Sequence, residues 1–271
     1  MSNSESTITI PVDLTNPGQF FACCGLLELA DRLWPGAEVA GWFELHRFDL
    51  ATFRLTSTAS FTAQLVVAAL LGCRRTQVDP IRPVRGSDRK PVKDPEKTLP
   101  VAIGLPVDLR ISWWLDELDG TQNAFKTWSA NVTSLTLFND AADAIDPQHA
   151  TNDKLFTSPV GMTGRFGFDP RSSWDRHNTG YSPNLQGEEV ESYPAVELLA
   201  AVGLQNFRPA SVKDEFYFTP WKKQLPTIAA RAAVSGALGL ADDCFYSFTV
   251  LSRAKFKSFS KAQLITGSKH V

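Results

Sequence analysis

Apolar and polar residues alternate at Ile8, Ile10 and Val12, the two-residue period of a half-buried strand. Directly after it, Asn16 and Pro17 have the chemistry of a helix start. Asn16 can cap the free N–H groups, and Pro17 fits the first helical position, where its missing N–H costs nothing. The helix predicted from Gln19 to Trp34 is apolar all round in its first half, and its polar residues Glu28, Asp31 and Arg32 fall on one stripe. It should therefore be buried where it begins and reach the surface where it ends, with Pro35 and Gly36 stopping it. Two strands are expected between Trp42 and Thr56, then a buried helix over Ala63–Cys73 capped by Ser60. A proline-rich loop covers 74–108, and a strand covers Asp108–Leu115. Phe125, Trp128, Val132, Leu135, Ala142 and Ile145 keep a spacing near 3.6, which predicts one amphipathic helix over 123–146.

Ser158–Asn184 is rich in glycine and aromatic residues and has little periodicity. Beyond it the pattern predicts a buried helix over Ala195–Leu204 opened by Pro194, a strand at Glu215–Phe218 and an alanine-rich helix over Pro226–Leu238. A last strand is expected over Cys244–Leu251, which a continued extended backbone would carry through Phe256 and Phe259. The order predicts an α+β protein of mixed helices and antiparallel sheet, with two ferredoxin-like halves as the candidate arrangement. The expected organisation is an α+β unit at 1–73, a basic proline-rich loop at 74–108 and a second α+β unit at 109–271. The helices at 19–34 and 195–204 share a Leu-Leu-rich composition, which either duplication or convergence of buried helices would produce.

Charge changes the picture where composition does not. The chain of 271 residues is 43% hydrophobic and 21% charged, an ordinary globular balance. Its formal charge of −2 hides an uneven distribution. Residues 222–271 hold eight Lys/Arg against Asp242 and Asp243, and 74–97 holds eight cations against Asp79, Asp88, Asp94 and Glu96. Such stripes serve an anionic partner or are simply solvated faces. The four cysteines are unevenly spaced, and Cys23 and Cys24 lie in the most apolar helix, which predicts reduced, structural thiols. No secretory signal is visible, and no apolar run approaches the about 20 residues that a bilayer span needs, so a soluble, cytoplasmic protein with no membrane partner is expected.

Enzyme motifs are scarce. There is no phosphate-binding loop, no Gly-x-Ser-x-Gly elbow and no Cys-x-x-Cys pair, and His46, His149, His177 and His270 are scattered, so neither metal nor cofactor is expected. Asp175, Arg176 and His177 could form a general base with cationic support, or could equally fix a loop by hydrogen bonds. Gly164-Arg165-Phe166-Gly167-Phe168 is close to an RNA-recognition core whose aromatics stack bases, with Arg165 placed to meet a phosphate; the other reading is a glycine-rich turn with buried Phe166 and Phe168. In 252–261, an extended backbone would put Arg253, Lys255 and Lys257 on one face with Lys261 further along, a pattern suited to single-stranded nucleic acid or to an acidic protein.

Three blocks together resemble a known family: Thr15–Trp34 (TNPGQFFACCGLLELADRLW), Gly164–Asp175 (GRFGFDPRSSWD) and Tyr193–Pro209 (YPAVELLAAVGLQNFRP). They are similar to a small accessory protein family of subtype I-G (formerly I-U) CRISPR–Cas systems. The resemblance spans about residues 8–210, with a weaker match in the basic C-terminal strand. It implies a non-enzymatic subunit or adaptor in antiviral defence, beside the guide-RNA surveillance complex or its helicase–nuclease. Other CRISPR-associated subunits would be its partners, and guide RNA or target DNA a further contact. It carries over no catalytic residue. A second reading from a different class is a metal-independent ribonuclease that processes guide RNA, with Arg165, Arg176 and His177 as its candidates.

Overall fold

The computed structural model describes residues 6–128, 132–172, 190–239, 244–253 and 256–265. The chain opens with β1 (Ser6–Asp13), α1 (Pro17–Leu33), β2 (Ala40–Leu45), β3 (Leu50–Ser57) and α2 (Ala63–Gly72). Then come β4 (Arg75–Gln77), β5 (Val101–Ile103), β6 (Leu109–Ile111), β7 (Leu115–Asp116), β8 (Thr121–Gln122) and α3 (Ser134–Asp143). The rest comprises β9 (Val160–Met162), β10 (Val190–Ser192), α4 (Pro194–Asn206), β11 (Ala210–Val212), β12 (Glu215–Phe218), β13 (Leu225–Pro226), α5 (Thr227–Val234), β14 (Tyr246–Arg253), β15 (Phe256–Phe259) and β16 (Gln263–Leu264).

This is a mixed α+β fold with five helices and several small antiparallel sheets among the described residues. The first sheet has the order β1-β3-β2-β13. Because β1 and β2 are both antiparallel to β3, they run parallel to each other, with α1 as the crossover between them. A ferredoxin-like half would add a fourth strand beside β1. Here the fourth strand, β13, pairs with β2 at the opposite edge, so the ferredoxin-like halves are not shown. β1 ends the sheet, and Pro11 on it suits an edge, where a missing N–H removes no ladder bond. The second large sheet runs β11-β12-β14-β15, with β16 also on β14.

α1 forms as its sequence dictates. The Asn16 side chain accepts from the Gln19 N–H at 3.2 Å, Pro17 occupies the first turn, and every residue from Pro17 to Ala30 is buried. What it packs against is α4. Asn16 at the start of α1 and Glu197 in the first turn of α4 both bond to residues 167–169, while Asn206 at the end of α4 donates to Glu28 of α1 at 2.8 Å. The two helices therefore run parallel. They touch backbone to backbone at Gly25 and Gly203: a Cβ on Gly25 would lie 2.0 Å from the Leu199 carbonyl oxygen, and one on Gly203 would lie 2.1 Å from that of Phe21. Only glycine permits that approach.

The core is one contiguous cluster running from Ile8 to Ala262. Aromatic rings thread it: Phe20 stacks on Phe218 at 4.3 Å, Phe248 meets Phe259 at 4.7 Å, and Phe168 links Phe259 (5.0 Å) to Trp113 (5.1 Å). Several predicted boundaries shift. The helix expected over 123–146 is α3 alone, capped by Thr133. Asn123 turns the preceding chain instead, donating to the Trp113 carbonyl at 2.7 Å and accepting from the Phe125 N–H at 3.0 Å. Phe125 and Trp128 are buried from non-helical backbone, so their helical spacing was coincidental. Thr62 rather than Ser60 caps α2, 74–108 contributes β4 and β5 to a small sheet, and α5 stops at Val234.

Candidate nucleic-acid and partner interface

The glycine-rich segment 164–169 is held from three sides. The buried carboxylate of Glu197 accepts the N–H groups of Gly167 (2.8 Å), Phe168 (3.1 Å) and Asp169 (3.1 Å). Buried Asp169 in turn accepts from Asn16 Nδ2 at 2.8 Å and from Arg171 Nη2 at 2.6 Å, and the Arg171 guanidinium lies 3.4 Å over the Tyr193 ring. On the third side the Phe259 N–H donates to the Gly167 carbonyl at 2.8 Å. Burial raises the Glu197 pKa to about 7, although the N–H donors act the other way.

Phe166 and Phe168 are buried and stacked on each other, so this stretch is the glycine-rich turn and not a base-stacking strand. Arg165 is partly buried, donates to the Ser172 carbonyl at 3.1 Å and lies close enough to Glu197 for their charges to interact. The three resembling blocks thus meet in one interior junction, which sequence reading did not foresee. Its signal was Glu197, the one charged residue of α4, which has no cation within four positions in sequence; Asp169 has Arg171 two residues on. Glu28 makes a second such junction at the other end of α1, accepting from Arg231 Nη2 at 2.6 Å and Arg32 Nε at 2.7 Å.

The basic C-terminal stretch is a hairpin, not one extended strand. β14 and β15 pair with Arg253 opposite Phe256 and Ser252 opposite Lys257. Lys257 therefore shares a face with Ser252, and the expected common face with Arg253 and Lys255 falls on side chains outside the described residues. Lys257 and Lys261 are exposed; Phe259 is fully buried. The side chain of Arg253 and all of Lys255 lie outside the described residues, as do Asp175, Arg176 and His177. Lys126 joins this region unannounced by the sequence. Its ammonium donates to the Trp128 carbonyl at 2.8 Å and sits 5.6 Å from the centre of the Trp128 ring, and burial together with Lys257 lowers its pKa.

The second basic stretch, 74–97, meets acids from the β7–β8 turn: Arg89 approaches Asp119 at 4.0 Å, while Lys90 and Lys97 pair with the local Asp88 and Asp94. Elsewhere, Asp146 holds His149 Nδ1 at 2.8 Å beside a mostly apolar cavity of about 200 Å³ that Leu155 and Pro194 also line. Among the described residues no group of three or more His, Cys, Asp or Glu is placed to hold a metal ion, and no helix is long and apolar enough to cross a membrane. No family model, curated protein or solved structure matches the chain.

Proposed function

We propose that this chain is a non-catalytic subunit or adaptor of a subtype I-G CRISPR antiviral defence system, working beside the guide-RNA surveillance complex or its helicase–nuclease. One observation carries the reading beyond the resemblance itself. The blocks at 15–34, 164–175 and 193–209 converge on the Asn16–Asp169–Glu197 junction, where their polar groups are engaged in holding the fold. A family signature of that kind describes a scaffold, and a scaffold works through what it presents outward. On this chain the outward cations include Lys257 and Lys261 on the C-terminal hairpin region, which suit an RNA or DNA backbone or the acidic face of a neighbouring subunit.

The test is co-purification with the other proteins encoded at the same locus, with and without nuclease treatment. A stable complex with at least one of them is expected. Recovery of the chain alone in every combination would overturn the reading. The purified protein should also show no nuclease or ATPase activity; guide-RNA cleavage in EDTA that disappears in His177→Ala would replace it with the ribonuclease alternative.

A further inference from the structure

Three segments far apart in sequence meet at β15 and bring two lysines together. The Thr127 hydroxyl donates to the Phe166 carbonyl, and the Phe259 N–H donates to the Gly167 carbonyl at 2.8 Å. A Cβ on Gly167 would lie 2.8 Å from the Lys257 carbonyl oxygen, and the Phe125 and Phe259 rings are 5.9 Å apart. Lys126 therefore sits between neighbours anchored on β15 and on the 166–167 turn, and Lys257 lies against that same turn. Lys126 is half-buried; its ammonium donates to the Trp128 carbonyl at 2.8 Å, and Lys257 is close enough for the two charges to repel. Among the described residues neither lysine forms an ion pair. The adjoining stretches 129–131 and 253–256 contain no acid in sequence. Lys97 shows the contrast. Its carbonyl accepts from Trp128 Nε1 at 3.3 Å, yet its own ammonium has Asp94 at 2.9 Å.

We propose that Lys126 and Lys257 form a binding site for a phosphate monoester dianion, carried by a small free compound or by the end of a nucleic-acid strand. A half-buried ammonium beside a second one is a standing cost, because lost water and like charge both disfavour it. A fold that keeps such a pair without a carboxylate leaves its relief to an anion from outside. Lys126 uses one of its three N–H bonds on the Trp128 carbonyl, and two remain for that anion. Lys257 is exposed, so the anion reaches the pair from solvent. The charge count selects the class. A carboxylate or a phosphodiester brings one negative charge and leaves one lysine uncompensated. A phosphate monoester brings about 1.5 to 2 at pH 7, together with three acceptor oxygens. Base stacking takes no part, because the Trp128 ring is buried.

The site stands on its own geometry; only its use for a strand end rests on the function proposed above. The first measurement needs no variant. Heteronuclear NMR of the lysine Cε–Hε groups follows Lys126 of the full chain through pH, with inorganic phosphate or with chloride at equal ionic strength. Phosphate is expected to raise the Lys126 midpoint by about one pH unit more than chloride does, a tenfold preference for the charged form. A short single strand is then titrated with a 5′-phosphate and with a 5′-hydroxyl, against wild type, Lys126→Met, Lys257→Gln and Lys213→Gln. At least tenfold tighter binding of the phosphorylated strand, lost in Lys126→Met and Lys257→Gln but kept in Lys213→Gln, places a strand end in the site. Equal binding of the two strands, with the phosphate-induced shift intact, makes a free phosphate compound the occupant. If Lys126→Met melts early, Lys257→Gln and the wild-type midpoint decide. Phosphate that moves Lys126 no further than chloride overturns the site and leaves the adaptor reading, which is tested by co-purification, untouched. Phosphate binding by a chain that recovers no protein of its locus overturns that reading and leaves the site.

Discussion

At the residue scale, a few interior groups hold the fold under tension between competing effects. Gly25 has no room for a methyl group, because the Leu199 carbonyl lies 2.0 Å from where a Cβ would stand. Gly25→Ala must push α1 and α4 apart and should destabilise by about 3 kcal/mol or more, the upper part of the overpacking range, measured by chemical denaturation. Glu197 presents the opposite problem, a carboxylate welcomed by three N–H groups but stripped of water. With its pKa raised to about 7 in the folded state against 4.5, the native protein binds the extra proton between those values. Stability should therefore fall as pH rises through that window, by about 3 kcal/mol for a shift of this size. Glu197→Gln should be less stable overall, since an amide nitrogen cannot accept, but its stability should lack that slope between pH 4.5 and 7. Cys23 and Cys24 are fully buried, and burial raises both thiol pKa values, as the apolar sequence around them predicts. Native protein should resist thiol labelling that proceeds readily once it is unfolded, and Cys24→Asp should cost several kcal/mol.

At the element scale, the C-terminal hairpin shows how pairing rearranges a charge pattern. An uninterrupted strand over 252–261 would carry its cations along one line, but β15 pairs back on β14 and sets Lys257 opposite Ser252. The surface left for an anion includes exposed Lys257 and Lys261, with Lys126 close enough for Lys257 to depress its pKa. If Lys257 and Lys261 each meet one phosphate of a single strand, Lys257→Gln/Lys261→Gln should flatten the slope of log K against log salt by about 1.4. The substitutions should leave stability within about 0.5 kcal/mol, as exposed charges usually do. Equal binding by wild type and variant across a salt series would show the hairpin to be a solvated edge. The same logic explains the 123–146 stretch. Phe125 and Trp128 have helical spacing, yet the Asn123 turn commits them to a different backbone and leaves the helix to Ser134–Asp143.

At the scale of the whole molecule, α1 is the element that joins distant parts of the chain. Its first fourteen residues are buried on every side, much of that against α4, some 170 positions later in sequence. A fragment ending at residue 73 would expose this surface and should not fold alone; the intact chain should unfold in a single transition by both circular dichroism and tryptophan fluorescence. What the sequence by itself determined were local properties: the cap at Asn16, the all-round apolarity of α1, the strand at Glu215–Phe218 and the burial of Cys23 and Cys24, while Cys244 is only half-buried. Each depends on neighbours within a few residues, where capping chemistry and hydrophobic period leave little choice. What only the tertiary structure decided were relations between segments far apart. The partner of buried Glu197 is a set of backbone N–H groups near residue 168, and Asp119 approaches Arg89 from across a hairpin. The same holds for the face on which Lys257 sits, which follows from the register of β15 on β14. Backbone donors carry no mark in the sequence, and a one-residue change of register reverses every side chain, so charge counted along the chain could not locate a surface.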